Sequence, residues 1–417
     1  MCFVSPVSCE TLSVFPSRRC VIGPEDPFGR RAGVLEEVRN PAVSPERASG
    51  VLEINLEGLV ANWRQLRKRV APAACAAVVK ADAYGTGLTE AGKALAAAGC
   101  DTFFVAVPSE GVALRAKCPS ATIYVLNGLA MGLAELYLAH RLRPVLGSLA
   151  EIGEWQAALG AGDNDGSAAL HVDTGMNRLG VSLAEFASLM SASSKAALGF
   201  APSLVMSHFV MADNPDHPLN ARQIRDFAQA RALCPDIPAS LANSSGIFLS
   251  RDAHHDLARP GYALFGGNPT PQRENPMRDV VTLKVPIVQL RVIQNGETVG
   301  YDAQWTAPGR RRIATLSAGY ADGYPRGGTV TDARRESGAP IAEAIIAGKR
   351  CPFAGRVSMD LITVDVTGLP EDAVKPGDPA ILIGEGLSLD EVGQRADTIG
   401  YEILTRLGRR FERVYRR

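Results

Sequence analysis

Apolar positions along this chain follow two different periods, and the change between them falls near residue 280. Leu56, Leu59, Val60, Trp63, Leu66 and Val70 stand at i, i+3, i+4 and i+7 spacing. That period predicts an amphipathic helix with one buried face. Short apolar runs then recur at 75–80, 101–107, 122–127, 142–147, 168–173, 203–208, 239–242 and 261–265, most of them separated by segments of helical period. About eight such strand–helix units predict a TIM-like (β/α)8 barrel, an α/β fold. Lys80, Asp173, His208 and Asn243 sit at the ends of these runs, where such barrels carry their chemistry.

Past residue 280 the pattern becomes alternation. VVTLKVPIVQLRVIQNGETVGYDAQW reads as strands with a turn at Asn295-Gly296, and the rest continues in short strand and turn lengths. The expected organisation is therefore a barrel over 50–281 and an all-β domain over 282–417. Residues 1–49 are rich in Pro, Ser, Arg and Gly without a sustained period, and they predict a disordered extension. They lack the basic start and apolar core of a secretory signal.

Charge narrows the classes of partner. Lys plus Arg and Asp plus Glu both total 44 in 417 residues, which argues against nucleic acid or an anionic membrane as a main partner. No apolar stretch approaches the roughly 20 residues that span a bilayer. Eight cysteines are scattered without a C-x-x-C or a Cys/His cluster. No metal site is expected, and reduced thiols in the cytoplasm fit best.

Residues 75–87 read CAAVVKADAYGTG. Lys80 closes an apolar run, as an amine delivered to a barrel mouth would. Tyr84, Gly85 and Gly87 supply a turn into a helix start, where backbone N–H groups could meet a phosphate. VVKADAYGTG closely resembles the pyridoxal phosphate lysine signature of alanine racemases. Further words follow in the order of that family: HVDTGMNRLG at 171–180, MSHF with His208, LANSSG with Ser244, LARPGYALFGGNP at 257–269, VGYDAQW with Tyr301, GYADGYPR at 319–326, GRVSMD at 355–360 and IGYEIL with Tyr401. The resemblance spans about residues 50–417.

The resemblance implies a racemase that interconverts L- and D-alanine with pyridoxal 5′-phosphate and supplies D-alanine for peptidoglycan. Lys80 would attach the cofactor and serve as base on one face of the substrate; Tyr301 would be the base on the other, acting across a homodimer. Arg259 would face the pyridine nitrogen, with His208 between it and Tyr301. Tyr84, Ser244, Tyr401 and the backbone near Gly261 and Tyr262 would hold the phosphate. Arg178 would touch both the cofactor's phenolic oxygen and the substrate carboxylate. Met359, through its backbone N–H from the partner subunit, and Tyr320 would meet the same carboxylate. Asp213, Arg326 and Arg356 match the polar corridor leading in. One position departs from the family: many members carry a carbamylated lysine where this chain has His171. An imidazole forms no stable carbamate, so Arg178 must be oriented by neutral His171, a bound anion or another side chain.

The alternatives are a broader-specificity racemase on the same fold, a fold-III decarboxylase, and a catalytically silent single-barrel binding protein. The decarboxylase's cysteine–aspartate motif is not evident here. The single-barrel proteins lack a β-domain and its tyrosine.

Overall fold

The helix Leu56–Val70 is built as its spacing demands. Asn55 caps it by accepting the Gly58 N–H at 2.8 Å, and Leu56, Leu59, Trp63, Leu66 and Val70 are buried, with Val60 half-buried beside them. Full burial of each large apolar side chain contributes roughly 1.5–3 kcal/mol. Trp63 fixes the helix to the barrel by donating its indole N–H to the Cys75 carbonyl at 3.1 Å. This computed structural model describes residues 38–39, 49–159, 166–191 and 198–417.

Seven parallel strands follow one another round the sheet: Ala77–Val78, Thr102–Val105, Thr122–Val125, Leu142–Leu146, Ala168–His171, Pro202–Met206 and Ala239–Ser240. Closure comes from Leu257–Ala258, which pairs in parallel with Ala74–Cys75 at the start of the first strand. The eighth strand thus lies at Leu257–Ala258 and not at 261–265. Tyr262–Phe265 form a 3-10 turn instead. Pro260 has no N–H for a ladder, and the N–H groups of Gly261 and Ala263 go to the Ser244 hydroxyl at 3.0 and 3.2 Å.

The second sheet has nine strands and is centred on Val281–Ile293. Val281, Leu283, Val285 and Ile287 alternate inward along it. Its antiparallel partners are Gly50–Asn55, Pro379–Ile383 and Arg311–Leu316. Gly50–Asn55 also pairs in parallel with the last strand, Phe411–Arg416, so segments from both halves of the chain lie side by side in this sheet. Val38–Arg39, inside the stretch expected to be a disordered extension, pairs antiparallel with the same last strand. The rest of 1–48 lies outside the described residues. The C-terminal half also departs from the all-β expectation. It carries short helices at Asp332–Glu336, Leu389–Arg395 and Gly400–Arg406, too brief to show a clear period between the strands.

Five cysteines, Cys75, Cys100, Cys118, Cys234 and Cys351, are buried, and none forms a disulfide among the described residues. Among the described residues no helix is long and apolar enough to cross a membrane.

Candidate active site at the barrel mouth

A cavity of about 290 Å³ opens at the C-terminal ends of the barrel strands, lined by Lys80, Tyr84, His171, Arg178, His208, Ser244, Arg259, Gly261, Tyr262 and Tyr401, together with Val78, Leu126, Asn127, Leu179, Met206 and Asn243. Its size is at the low end for a small-molecule site. Among the described residues the lining contains three cationic side chains and no carboxylate. Such a wall suits a multiply anionic guest.

Lys80 enters from an unusual piece of backbone. Ala81, Asp82, Ala83 and Tyr84 all have φ near +54°, a left-handed turn made without glycine. The sterics of an L residue disfavour this by roughly 1–2 kcal/mol for each residue, and such strain persists only where the surroundings fix it. Inside the turn, Ala83 N–H donates to the Val79 carbonyl at 2.9 Å and Gly85 N–H to the Ala81 carbonyl at 2.8 Å. The helix after it, Leu88–Ala97, does not present its start to the cavity as the sequence suggested: Leu88 N–H donates to the Asp82 carboxylate at 2.8 Å. Burial, and then the charge of Arg178, hold the Lys80 ammonium below the usual lysine range, with Glu110 pulling the other way. A neutral amine is what a nucleophile or base requires.

Arg259 is 3% exposed and pairs with no carboxylate among the described residues. Its guanidinium donates to Ser240 Oγ at 2.5 Å and to the Ser207 carbonyl at 2.6 Å, approaches His208 Nδ1 at 3.5 Å, and lies 5.8 Å from the Phe104 ring centre. Burial, and then Arg259, push His208 down to about 3. Burial, and then Arg259 again, push His171 down to about 4. Both imidazoles are neutral at physiological pH.

Hydroxyls supply the remaining donors. Ser244 Oγ accepts from two backbone N–H groups, which leaves its own proton to give. Tyr84 is buried, its phenol is pushed well above the usual range by burial, and its hydroxyl has no protein acceptor among the described residues. Tyr401 is pushed up to about 12, by burial first and then by Asp213. The Tyr401 ring stacks on Tyr262 at 3.8 Å and 15°. Tyr262 spends its own hydroxyl on Asp390 at 2.9 Å, so that oxygen is already engaged. A Cβ at Gly261 would stand 2.3 Å from Tyr84 Oη; only glycine lets the backbone come this close to that donor.

Asp173 builds the loop that carries Arg178, accepting the N–H groups of Gly175, Met176 and Asn177 at 2.9 Å each. Val181 N–H then returns to the His171 carbonyl at 2.9 Å. Arg178 itself has no carboxylate partner among the described residues.

Three expected site residues do not line this cavity. Tyr301, Tyr320 and Met359 are 70%, 39% and 54% exposed. Tyr320 and Met359 share one surface, where Tyr320 N–H donates to the Ser358 carbonyl and Ala321 N–H to the Met359 carbonyl at 3.0 and 2.9 Å. Tyr301 sits on a tight turn where the neighbouring Asp302 holds Arg356 at 2.6 Å. Sequence reasoning missed Asn127, whose only signal is its place just after a barrel strand, and Gln223. Gln223 is fully buried and binds the His208 carbonyl at 2.8 Å and the Val210 N–H at 2.9 Å; in the sequence it reads as one more polar helix residue.

Residues 54–269 match the family described as "Alanine racemase, N-terminal domain" and residues 280–415 match "Alanine racemase, C-terminal domain". The chain is 57% identical over 365 residues to an alanine racemase of Methylobacterium nodulans, covering 87% of this chain and 95% of that one. The alanine racemase of Bartonella henselae, solved with covalently bound pyridoxal phosphate, is 35% identical and superposes with a TM-score of 0.81 over 88% of this chain and 99% of that one. The biosynthetic alanine racemase of Pseudomonas aeruginosa is 36% identical with a TM-score of 0.80, over the same shares.

Proposed function

The chain belongs to the alanine racemase family, and we propose that it interconverts L- and D-alanine as a cytoplasmic homodimer with pyridoxal 5′-phosphate in the barrel cavity, supplying D-alanine for peptidoglycan. The observation that carries this reading is the cavity wall, where Lys80, Arg178 and Arg259 converge with unspent hydroxyl protons and no carboxylate. A phosphate and an amino-acid carboxylate would both find donors there. The reading divides the chain into a cofactor-carrying barrel over 50–281, with Gly50–Asn55 lent to the second sheet, and a β-domain over 282–417 that presents the second base.

Bound cofactor supplies an electron sink for the α-carbon of the amino acid. The rest falls to the chain. Tyr84, Ser244 and Tyr401 would hold the phosphate as hydroxyl hydrogen-bond donors, together with the backbone at Gly261 and Tyr262. Arg259 keeps its own proton near neutral pH, so it can only donate to a ring nitrogen, never accept from it. Arg178 holds the substrate carboxylate. Lys80, as a neutral amine, takes or returns the α-proton on one face. Tyr301 of the second copy works on the other face, and Met359 N–H and Tyr320 close the substrate end. Its high exposure in one copy is what a residue reaching into a neighbouring site would show.

The test is a racemisation assay on L-alanine and a panel of other L-amino acids, with and without added pyridoxal phosphate. Turnover of alanine well above the rest, dependent on the cofactor, is expected. Comparable rates across bulky side chains would replace this reading with a broad-specificity racemase.

A further inference from the structure

The left-handed turn behind Lys80 is held from outside the barrel. The last strand, Phe411–Arg416, places Arg413 and Tyr415 on one side, two residues apart. Arg413 is 9% exposed and donates to the Gly85 carbonyl from Nε and Nη2, at 3.1 and 3.0 Å. The same guanidinium reaches the Leu407 carbonyl at 3.0 Å and the Gly408 carbonyl at 3.1 Å, just past the helix Gly400–Arg406 that carries Tyr401. It makes no ion pair among the described residues. Tyr415 Oη donates to the Thr86 carbonyl at 3.0 Å, and a Cβ at Gly87 would stand 2.0 Å from that oxygen.

We infer that Arg413 and Tyr415 are positioning residues for Lys80: they clamp the exit of the strained turn and tie it to the helix that bears Tyr401. Four consecutive non-glycine residues near φ +54° have a lower-energy alternative in the right-handed region. Relaxing there would re-aim Lys80 at the head of the turn and Tyr84 at its end together. A guanidinium with a fixed fork is suited to hold two carbonyl groups from different segments at once. The strand doing so lies in the second sheet between Val38–Arg39 and Gly50–Asn55, so the fold of the C-terminal half is coupled to the amine in the barrel. This rests on the reading of Lys80 as the amine that takes the cofactor.

The test uses the full chain, stripped of cofactor and titrated with pyridoxal phosphate. Capture on Lys80 is read by borohydride trapping and peptide mass, and hydrogen exchange is followed at the amides of 81–87. Arg413→Ala should weaken capture about 10- to 100-fold, the size of hydrogen bonds lost from a charged donor, and Tyr415→Phe about 3- to 10-fold. Both should speed exchange in the turn, and Arg413→Lys should recover part of the loss. Val414→Ala, on the opposite side of the same strand and buried, lowers the melting temperature without touching the turn, and should capture cofactor as the wild type does. Folded Arg413→Ala with wild-type capture and exchange would overturn the inference, as would Val414→Ala loosening the turn equally. Should Arg413→Ala fail to fold, unchanged capture and exchange in Tyr415→Phe overturns it. If wild type traps no cofactor on Lys80, the functional reading fails, while the exchange comparison still decides the clamp.

Discussion

Arg259 Nη2 lies 3.5 Å from His208 Nδ1, with no carboxylate paired to either group among the described residues. A guanidinium has only protons to offer, so Nδ1 is the acceptor and the single ring proton of His208 belongs on Nε2. Burial and Arg259 keep that ring neutral, at about 3. The pair forms a fixed donor line through the floor of the cavity, supported from behind by Gln223 on the His208 carbonyl.

Lys80→Ala is expected to abolish covalent capture of pyridoxal phosphate without unfolding the protein, since the side chain is half-buried at the cavity wall and makes no hydrogen bond or ion pair among the described residues. Lys80→Arg keeps the charge but offers a poor nucleophile, and should fail equally. Absorbance and borohydride trapping check this, and cofactor trapped on another lysine would contradict it.

Much of this site was legible because its residues come in words tied to strand ends: VVKADAY, NSSG and ARPGY each place a side chain at the barrel mouth. The left-handed turn at Ala81–Tyr84 was not legible. Nothing in Lys-Ala-Asp-Ala-Tyr favours positive φ, and the groups that hold it, Arg413 and Tyr415, lie more than 300 residues away. The eighth strand is hidden in the sequence for a related reason. Tyr-Ala-Leu-Phe is as apolar as a strand, but Ser244 takes the N–H groups a ladder would need, while the two-residue pairing at Leu257–Ala258 is too short to show a period.

His171 makes stability depend on pH. Its folded value, about 4, is below the unfolded value of about 6.5, so the unfolded state binds the proton first. The stability is present above pH 6.5 and is lost as pH falls, by roughly 3 kcal/mol at pH 4. Denaturant unfolding between pH 7 and 4.5 should show a steeper decline for wild type than for His171→Gln. Parallel curves would mean that His171 is not buried as a neutral ring.

Neutral His171 also leaves Arg178 without a fixed anion among the described residues. Chloride should therefore lower the KM for alanine, and His171→Lys, which permits a carbamate, should weaken that response. Orientation of a carboxylate clamp acts mainly through substrate affinity here. Steady-state kinetics across chloride and bicarbonate check this. Indifference of both proteins would show that another side chain orients Arg178.

Tyr301→Phe should separate the two faces of the substrate. Loss of a general base typically removes about 10²–10⁴-fold. Deuterium exchange into L-alanine should fall on that scale, while Lys80 continues to exchange the α-proton of D-alanine. Equal and small losses for both enantiomers would remove Tyr301 from the role.

A site completed by a second copy draws Lys80 from one chain and Tyr301 from the other. Lys80→Ala and Tyr301→Phe proteins, each inactive alone, can be mixed under conditions where subunit exchange is verified by mass. Random reassortment in a two-fold dimer puts half the molecules in heterodimers with one intact site of two, so about a quarter of wild-type racemisation should return. No return of activity after proven exchange would show that the site is built within one chain, and would contradict the account.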